Sequence, residues 1–315
     1  MKILVTGCAG FIGSSFALYL LENYHQDSIV GVDCLTYAAN EEALDKLLSY
    51  DSFRFYKENI CDAAVINGIF AAEKPDVVVN FAAETHVDNS ILDSHSFVQT
   101  NVVGTQVLLD ASVRYGVSRF HQISTDEVYG DLPIDSEDRF CEDSPLNPSS
   151  PYTASKAAAD LLALSYARTH SLSVSISRST NNYGLYQHSE KLIPTVISNL
   201  VKHQPVPVYG NGENVRDWLY VVDHCRAIDL IIRKGSAEIY NVGADNYYSN
   251  VDLIKKIMTL SGYPDGEISF VADRKGHDRK YAVNFDKLRA LGWQPEADFE
   301  RELKDTIEWY VRKLN

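Results

Sequence analysis

Short strands are predicted at residues 3–5, 29–32, 53–56, 77–80, 119–123 and 173–177, where apolar side chains cluster in runs too short for helices. Between them lie segments with helical apolar spacing, among them 15–24, 97–115 and 152–170. A strand and a helix that alternate in this way build right-handed βαβ units, and these predict an α/β fold with a Rossmann-type, doubly wound parallel sheet. After residue 177 the punctuation changes. Asn181-Asn182-Tyr183-Gly184, Pro194, Pro205, Pro207, Gly210 and Gly212 break the chain into shorter elements. We therefore expect a nucleotide-binding domain over 1–178, which also carries the reactive residues, and a smaller mixed α/β domain over 179–315 that caps it. The closing segment 299–313 reads as an amphipathic helix used for packing.

A chain of 315 residues that is 45% hydrophobic can bury a large core. Its formal charge of -14 argues against a polyanion surface, so nucleic acid is not an expected partner. The five cysteines, Cys8, Cys34, Cys61, Cys141 and Cys225, have no CxxC or CxxH spacing. They read as reduced thiols of a cytoplasmic protein and predict no metal site. Residues 1–21 are apolar, but Gly7, Gly10 and Gly13 interrupt them and no small-residue cleavage site follows. No other stretch approaches membrane-spanning length, and no membrane association is expected.

The first strand runs into Gly7-Cys8-Ala9-Gly10-Phe11-Ile12-Gly13 and then a helix. Glycines there allow the tight turn and let a pyrophosphate reach backbone amides at the helix N-terminus. The second strand ends at Asp33, 20 residues beyond Gly13. A carboxylate so placed accepts hydrogen bonds from an adenosine ribose and repels a 2'-phosphate, which favours NAD over NADP. Asn59-Ile60-Cys61-Asp62 follows the third strand and either borders the adenine or is a plain loop in which Asp62 caps the next helix. Phe81-Ala82-Ala83 follows the fourth, where small residues let a cofactor approach the backbone.

The strand ending in Ser124 and Thr125 presents Thr125, Asp126 and Glu127 at its carboxyl end, where open α/β sheets place their ligands. Tyr152 and Lys156 stand four apart in a helical run and project from one face. An ammonium beside a phenol draws its pKa down toward neutrality, so Tyr152 is expected to act as a general base. Two carboxyls beside a hydroxyl add a second set of proton-transfer groups. The expected chemistry is oxidation of a sugar alcohol followed by elimination of water. Farther on, Lys191, Arg216, Arg274 and His277 are cationic or near-cationic in an acidic chain, and predict a clamp for a diphosphate.

These residues resemble the extended short-chain dehydrogenase/reductase superfamily, and within it the dTDP-glucose 4,6-dehydratases. The likeness runs over nearly the whole chain: TGCAGFIGS, DCLTYAAN, NFAAETHVDNS, FVQTNVVGT, STDEVYGD, YTASK, NNYGLYQHSEKLIP, VRDWLYVVDH, YNVG and DRKGHDRKYA. GxxGxxG and YxxxK identify only the superfamily, whereas the Asp-Glu pair after Thr125 and the EKLIP segment are more specific. The resemblance implies that Tyr152 accepts the proton of the sugar 4-hydroxyl while hydride leaves C4 for NAD, with Lys156 holding the nicotinamide ribose and Thr125 bonded near O4. It implies that Glu127 removes the C5 proton, Asp126 protonates the departing 6-hydroxyl, and hydride returns to C6. Cys34, Leu35, Thr36, Thr100 and Asn182 join the cofactor contacts on the same ground. Thr85, Asn181, Glu190, Lys191, Leu192, Pro207, Val208, Tyr209, Arg216, Asn241 and the loop with Asp273, Arg274 and His277 are implied to hold the nucleotide sugar.

Three places depart from the family's pattern. Asn59 stands where an aspartate is usual, Asn89 where HVDRS has arginine, and His188-Ser189 where Phe-Pro is usual. Asn89 also occurs in relatives that act on UDP-glucose, so UDP-glucose or UDP-N-acetylglucosamine is a competing substrate. A 4-epimerase or decarboxylase would share the NAD site and Tyr152 without elimination, and a catalytically idle NAD-binding regulatory module would share the NAD site alone. Apolar faces on helices 97–115 and 152–170 suit either sheet packing or a two-fold, four-helix contact, and a homodimer is expected.

Overall fold

A computed structural model describes residues 1–314. In its first half, β1 (Lys2–Thr6), β2 (Ser28–Asp33), β3 (Phe53–Lys57), β4 (Val77–Asn80), β5 (Arg119–Thr125) and β6 (Val174–Ser179) alternate with helices. Beyond them come β7 (Asn181–Tyr183), β8 (Val206–Tyr209), β9 (Val215–Tyr220), β10 (Ile239–Val242), β11 (Tyr247–Ser249) and β12 (Ile268–Val271). Seven strands form one parallel sheet in the order β10-β6-β5-β4-β1-β2-β3. The chain reverses its winding direction between β1 and β4, which opens a crevice at their carboxyl ends.

Both sheet faces are covered, which is why the strands are apolar at consecutive positions. On one face, Phe16, Leu20, Ile228 and Ile232 of helices Phe11–Asn23 and Val221–Lys234 pack on Ile3, Val5 and Val79. On the other, Ile66, Phe70, Leu108 and Ala163 cover Leu4, Val78, Phe120 and Ile176. A separate core gathers Ile193, Ile197, Val206, Val208, Trp218, Ile254 and Leu303 from the second half. The two halves interleave: beyond residue 178, β10 joins the edge of the large sheet and helix Val221–Lys234 covers one of its faces. The rest of the second half holds the β11-β9-β7 and β12-β8 sheets and the closing helix Phe299–Leu314.

The helix expected over 97–115 is divided. Val98–Gly104 winds as a π-helix before Thr105–Arg114 continues as α. Its buried Asn101 accepts the Glu84 amide at 2.8 Å and donates to the Glu84 carbonyl and to Ser155 Oγ. Wide turns of this kind are common next to functional sites, and this one ties the loop after β4 to helix Pro151–His170. Among the described residues no helix is long and apolar enough to cross a membrane.

Candidate active site

A cavity of about 420 Å³ opens at the carboxyl ends of the parallel strands. One wall is the turn after β1. Gly7 has φ +64°, and a Cβ there would lie 2.7 Å from the Ala82 amide nitrogen. Only glycine permits that backbone and that approach. Asp33 ends β2 with its carboxylate held by two main-chain amides, Oδ2 accepting Ala9 N–H at 3.0 Å and Oδ1 accepting Leu35 N–H at 2.8 Å. Burial nevertheless raises its pKa above the ordinary aspartate value. Gly10, Phe11, Ile12, Gly13, Cys34, Thr36, Asn59, Ile60, Phe81, Ala82, Ala83, Thr100 and Asn182 line the same cavity. Leu35 does not line it and serves the site through its amide. Asp62 is a helix cap, accepting the amides of Ala64 and Val65. The loop reading therefore describes Asp62, while Asn59 and Ile60 face the cavity.

A buried polar ladder that the motif reading did not single out supports this wall. Thr6, Asn80 and Gln122 are register partners across β1, β4 and β5. Thr6 Oγ1 donates to Asn80 Oδ1 at 2.6 Å, and Asn80 Nδ2 donates to Gln122 Oε1 at 2.9 Å. Thr6 Oγ1 also accepts the Ala82 amide, which fixes the segment after β4 against the glycine turn.

The opposite wall carries the ionisable groups. Thr125 ends β5 and caps the 3-10 turn Asp126–Tyr129 by accepting the Glu127 amide. Helix Pro151–His170 begins with a Ser150/Thr153 capping box and proline in its first turn, which fixes where Tyr152 and Lys156 project. Phe97 meets the Tyr152 ring edge-on at 6.4 Å. Thr125, Asp126, Glu127, Tyr152 and Lys156 all line the cavity, and all but Glu127 are buried.

Burial first, and then the charges of Glu127 and Asp217, push the Asp126 carboxyl well above the usual carboxylate range. Its Oδ2 is buried without a hydrogen-bond partner. Burial also raises Glu127, but the cations Arg274, Arg216 and Lys191 oppose that shift. The two neighbouring acids thus sit in different fields. The expectation that Lys156 draws the Tyr152 pKa down requires correction. Burial, then Glu127 and Asp126, push the phenol upward, opposed by a hydrogen bond with Thr125. Lys156, itself lowered to about 8 by burial, donates Nζ–H to the Ile123 carbonyl at 2.6 Å. Desolvation and two nearby acids outweigh the neighbouring ammonium.

Thr85, Asn181, Glu190 and Lys191 line the cavity, and Lys191 Nζ donates to the Thr85 carbonyl at 3.1 Å. Glu84 and His188 also line it, and burial and Glu190 raise the Glu84 carboxyl. The remaining expected sugar-nucleotide residues do not line this cavity, although Arg216 and Arg274 lie near enough for their charges to act on the Glu127 carboxyl. Val208 belongs to the core of the second half, Pro207 precedes it on β8, and Leu192 opens the helix packed on that core. Asn241, expected to touch the nucleotide sugar, is instead fully buried: it donates to the Phe140 and Asn284 carbonyls and accepts Tyr129 O–H at 2.7 Å. Arg216 stacks 4.2 Å over Tyr281 and donates to the Asp278 carbonyl, Tyr209 O–H donates to Asp88, and His277 pairs with Asp273 at 2.7 Å. Arg274 Nε is buried without a hydrogen-bond partner.

A family model described as GDP-mannose 4,6 dehydratase matches residues 4–306. The chain belongs to that family. It is 47% identical to the low-salt glycan biosynthesis protein Agl12 of Haloferax volcanii, over 99% of each chain. It is 46% identical to a dTDP-glucose 4,6-dehydratase of Haemophilus influenzae, over 99% of this chain and 98% of the relative. Among solved structures, the dTDP-glucose 4,6-dehydratase DesIV of Streptomyces venezuelae, with NAD and TYD bound, superposes with a TM-score of 0.95 at 42% identity, covering 99% of this chain and 97% of the other. A UDP-glucose 4-epimerase of Thermotoga maritima with UDP-glucose superposes at 0.92 with 32% identity over the full length of both chains. The fold is thus shared by dehydratases and epimerases, and the distinction rests on the side chains in the cavity.

Proposed function

We propose that this protein is an NAD-dependent 4,6-dehydratase that converts dTDP-glucose to its 4-keto-6-deoxy product. One observation carries the reading: a single cavity holds a Tyr-Lys pair and, at the neighbouring strand end, two acids in unlike fields. Oxidation alone requires the first pair, and elimination requires the second.

The cradle fits NAD. The Gly7 approach to Ala82 leaves backbone where a side chain would intrude, Phe11, Ile12 and Gly13 line the cavity as the first turn of a helix, and the immobilised Asp33 carboxylate suits a ribose diol. NAD held there would supply the acceptor for hydride from C4 and, once reduced, the donor of hydride to C6. Tyr152 takes the proton of the 4-hydroxyl, with Thr125 bonded beside it and the Lys156 ammonium stabilising the phenolate as it forms. A ketone at C4 makes the C5 proton acidic. Glu127, facing Arg274, Arg216 and Lys191, is the carboxylate that removes it. Asp126, kept protonated by burial, gives its proton to the 6-hydroxyl, which leaves as water; when C6 takes up hydride, Glu127 gives a proton back to C5. Lys191, Arg216 and Arg274 favour a diphosphate on the sugar, and the unpartnered Arg274 Nε is a donor awaiting an acceptor.

We also assign a homodimer to the chain. Leu161 and Val113 are exposed on the outer faces of helices Pro151–His170 and Thr105–Arg114, where a two-fold contact would bury them. Its five cysteines are unpaired, which supports a cytoplasmic setting. Mass spectrometry of products from dTDP-glucose, UDP-glucose and UDP-N-acetylglucosamine tests reaction and donor together. Loss of one water from dTDP-glucose is expected. A C4 epimer of unchanged mass would overturn the dehydratase reading.

A further inference from the structure

Beneath the Tyr152–Lys156 pair lies a polar cluster with no part in the chemistry above. Asp160 is fully buried one helical turn beyond Lys156. Its Oδ2 accepts Ser124 Oγ–H from β5 at 3.0 Å and Arg178 Nε–H from β6 at 3.0 Å. Arg178 is 2% exposed and stacks 4.8 Å over the Tyr129 ring, whose hydroxyl is bonded to Asn241. Three elements that build the reactive wall, β5, β6 and helix Pro151–His170, are therefore joined through one carboxylate. Asp160 Oδ1 is buried with no hydrogen-bond partner. A buried charge left partly unsatisfied is costly, and packing alone gives no reason for a carboxylate here.

The charges around it supply one. Lys156 is buried and makes a single hydrogen bond, to the Ile123 carbonyl. Residues four apart on a helix are neighbours, so Asp160 stands beside Lys156 on its own helix. From the other elements, Arg178 on β6 faces Asp160, while Asp126 and Glu127 on the 3-10 turn face Tyr152. Arg178 pairs directly with Asp160, and Lys156 feels the Asp160 charge without a direct ion pair; burial raises the Asp160 carboxyl, and Arg178 and then Lys156 oppose that shift and favour its charged form. Without its charge, both would be buried together with no anion between them.

We propose that Asp160 is a positioning residue for the Tyr152–Lys156 pair: tied to Ser124 and Arg178, it registers the helix against β5 and β6 and keeps Lys156 an ammonium at neutral pH. The inference rests on the catalytic assignment of Lys156 made above, since only a charged lysine can stabilise a forming phenolate. Burial already lowers Lys156 to about 8, and Asp160 opposes that shift. Little further loss of compensation would leave the amine neutral under working conditions.

Lysine-selective NMR tests this on the substrate-free protein, with the Lys156 signal identified by its disappearance in Lys156→Met. Asp160→Asn keeps the acceptor for Ser124 and Arg178 and removes the charge. The Lys156 midpoint should fall by about one pH unit or more, a tenfold change in its ionisation constant. Asp160→Glu, which keeps the charge, should restore it to near the native midpoint. An unchanged midpoint in Asp160→Asn would overturn the proposal, because a purely structural anchor would alter stability and leave the titration in place. Should Asp160→Asn not fold, the reciprocal measurement decides. In Lys156→Met the Asp160 carboxyl must titrate at higher pH than in the native protein, and no movement overturns the coupling. Neither readout needs turnover, so failure of the dTDP-glucose reaction would count against the proposed function and leave this result to stand or fall by itself.

Discussion

Adding one methyl group at Gly13 tests how far the cofactor cradle depends on its glycine turn. A Cβ at Gly13 would stand 2.2 Å from the Gly7 carbonyl oxygen and 2.9 Å from its carbon, both main-chain atoms that cannot swing aside. Moving 2.2 Å out to an ordinary contact of 3.4 Å makes helix Phe11–Asn23 retreat from the turn by about 1.2 Å. Overpacking against backbone belongs at the upper end of the usual range, about 3 kcal/mol. In a chain of this size that lowers Tm by roughly 4–5 °C. The same retreat exceeds the span of workable N–H···O distances, about 0.5 Å. At least one amide contact to the pyrophosphate is then lost, at about 1.5–3 kcal/mol, or roughly 10- to 100-fold in NAD affinity. Gly68→Ala is the control, because nothing lies within 4 Å of its added Cβ and it sits inside helix Ala63–Glu73. That change should leave NAD binding alone and raise stability by up to about 1 kcal/mol. Calorimetric NAD titration and thermal unfolding followed by circular dichroism read both variants. Native affinity and native Tm in Gly13→Ala would refute the reasoning.

Other consequences follow from the buried acids, the buried imidazoles and the exposed helix face. Asp126→Asn and Glu127→Gln should retain transient NAD reduction and lose dehydration by roughly 10²- to 10⁴-fold; 6-deoxy product at the native rate from both would contradict the role assignment. His121, bonded to Ser175 and Ser177, and His224 are both depressed to about 3, by burial foremost. Each is neutral when folded but takes up a proton when unfolded below about pH 6.5, so its contribution is complete above that value and is lost as pH falls toward 3. Urea unfolding between pH 6 and 4.5 should therefore show a slope flatter by about 1.4 kcal/mol per pH unit in His121→Gln than in the native protein. Leu161→Glu, a change at a side chain 58% exposed, should yield a monomer by light scattering while keeping the fold; a monomeric native protein would remove the dimer from the account.

The parts of this site that follow from local chain chemistry were legible in the sequence. Gly7, Gly13 and Asp33 announce their positions because a turn, a close approach and a strand end each demand a particular residue. Tyr152 and Lys156 share a face through helical spacing alone. Long-range pairing left no such trace. The Thr6-Asn80-Gln122 ladder joins residues scattered over three strands, and only the parallel register brings them together. Asp160 and Arg178 meet through the crossing of a helix over β6, although an acid four residues after Lys156 in an alanine-rich run was a signal. The return of β10 to the large sheet blurs a boundary that composition placed near residue 178, because a change in punctuation marks shorter elements and not where they pack. The sign of the Tyr152 shift depends on burial and on two acids from another element, which helical spacing does not report.

The dehydratase chemistry depends on the action of Glu127 and Asp126 on adjacent carbons of a sugar oxidised at C4. It is tested most directly by running the reaction with dTDP-glucose in deuterated water and reading the product by proton NMR. The expected product is a 4-keto-6-deoxy sugar with solvent deuterium at C5. A product that retains its 6-hydroxyl, or one dehydrated without deuterium at C5, would contradict it.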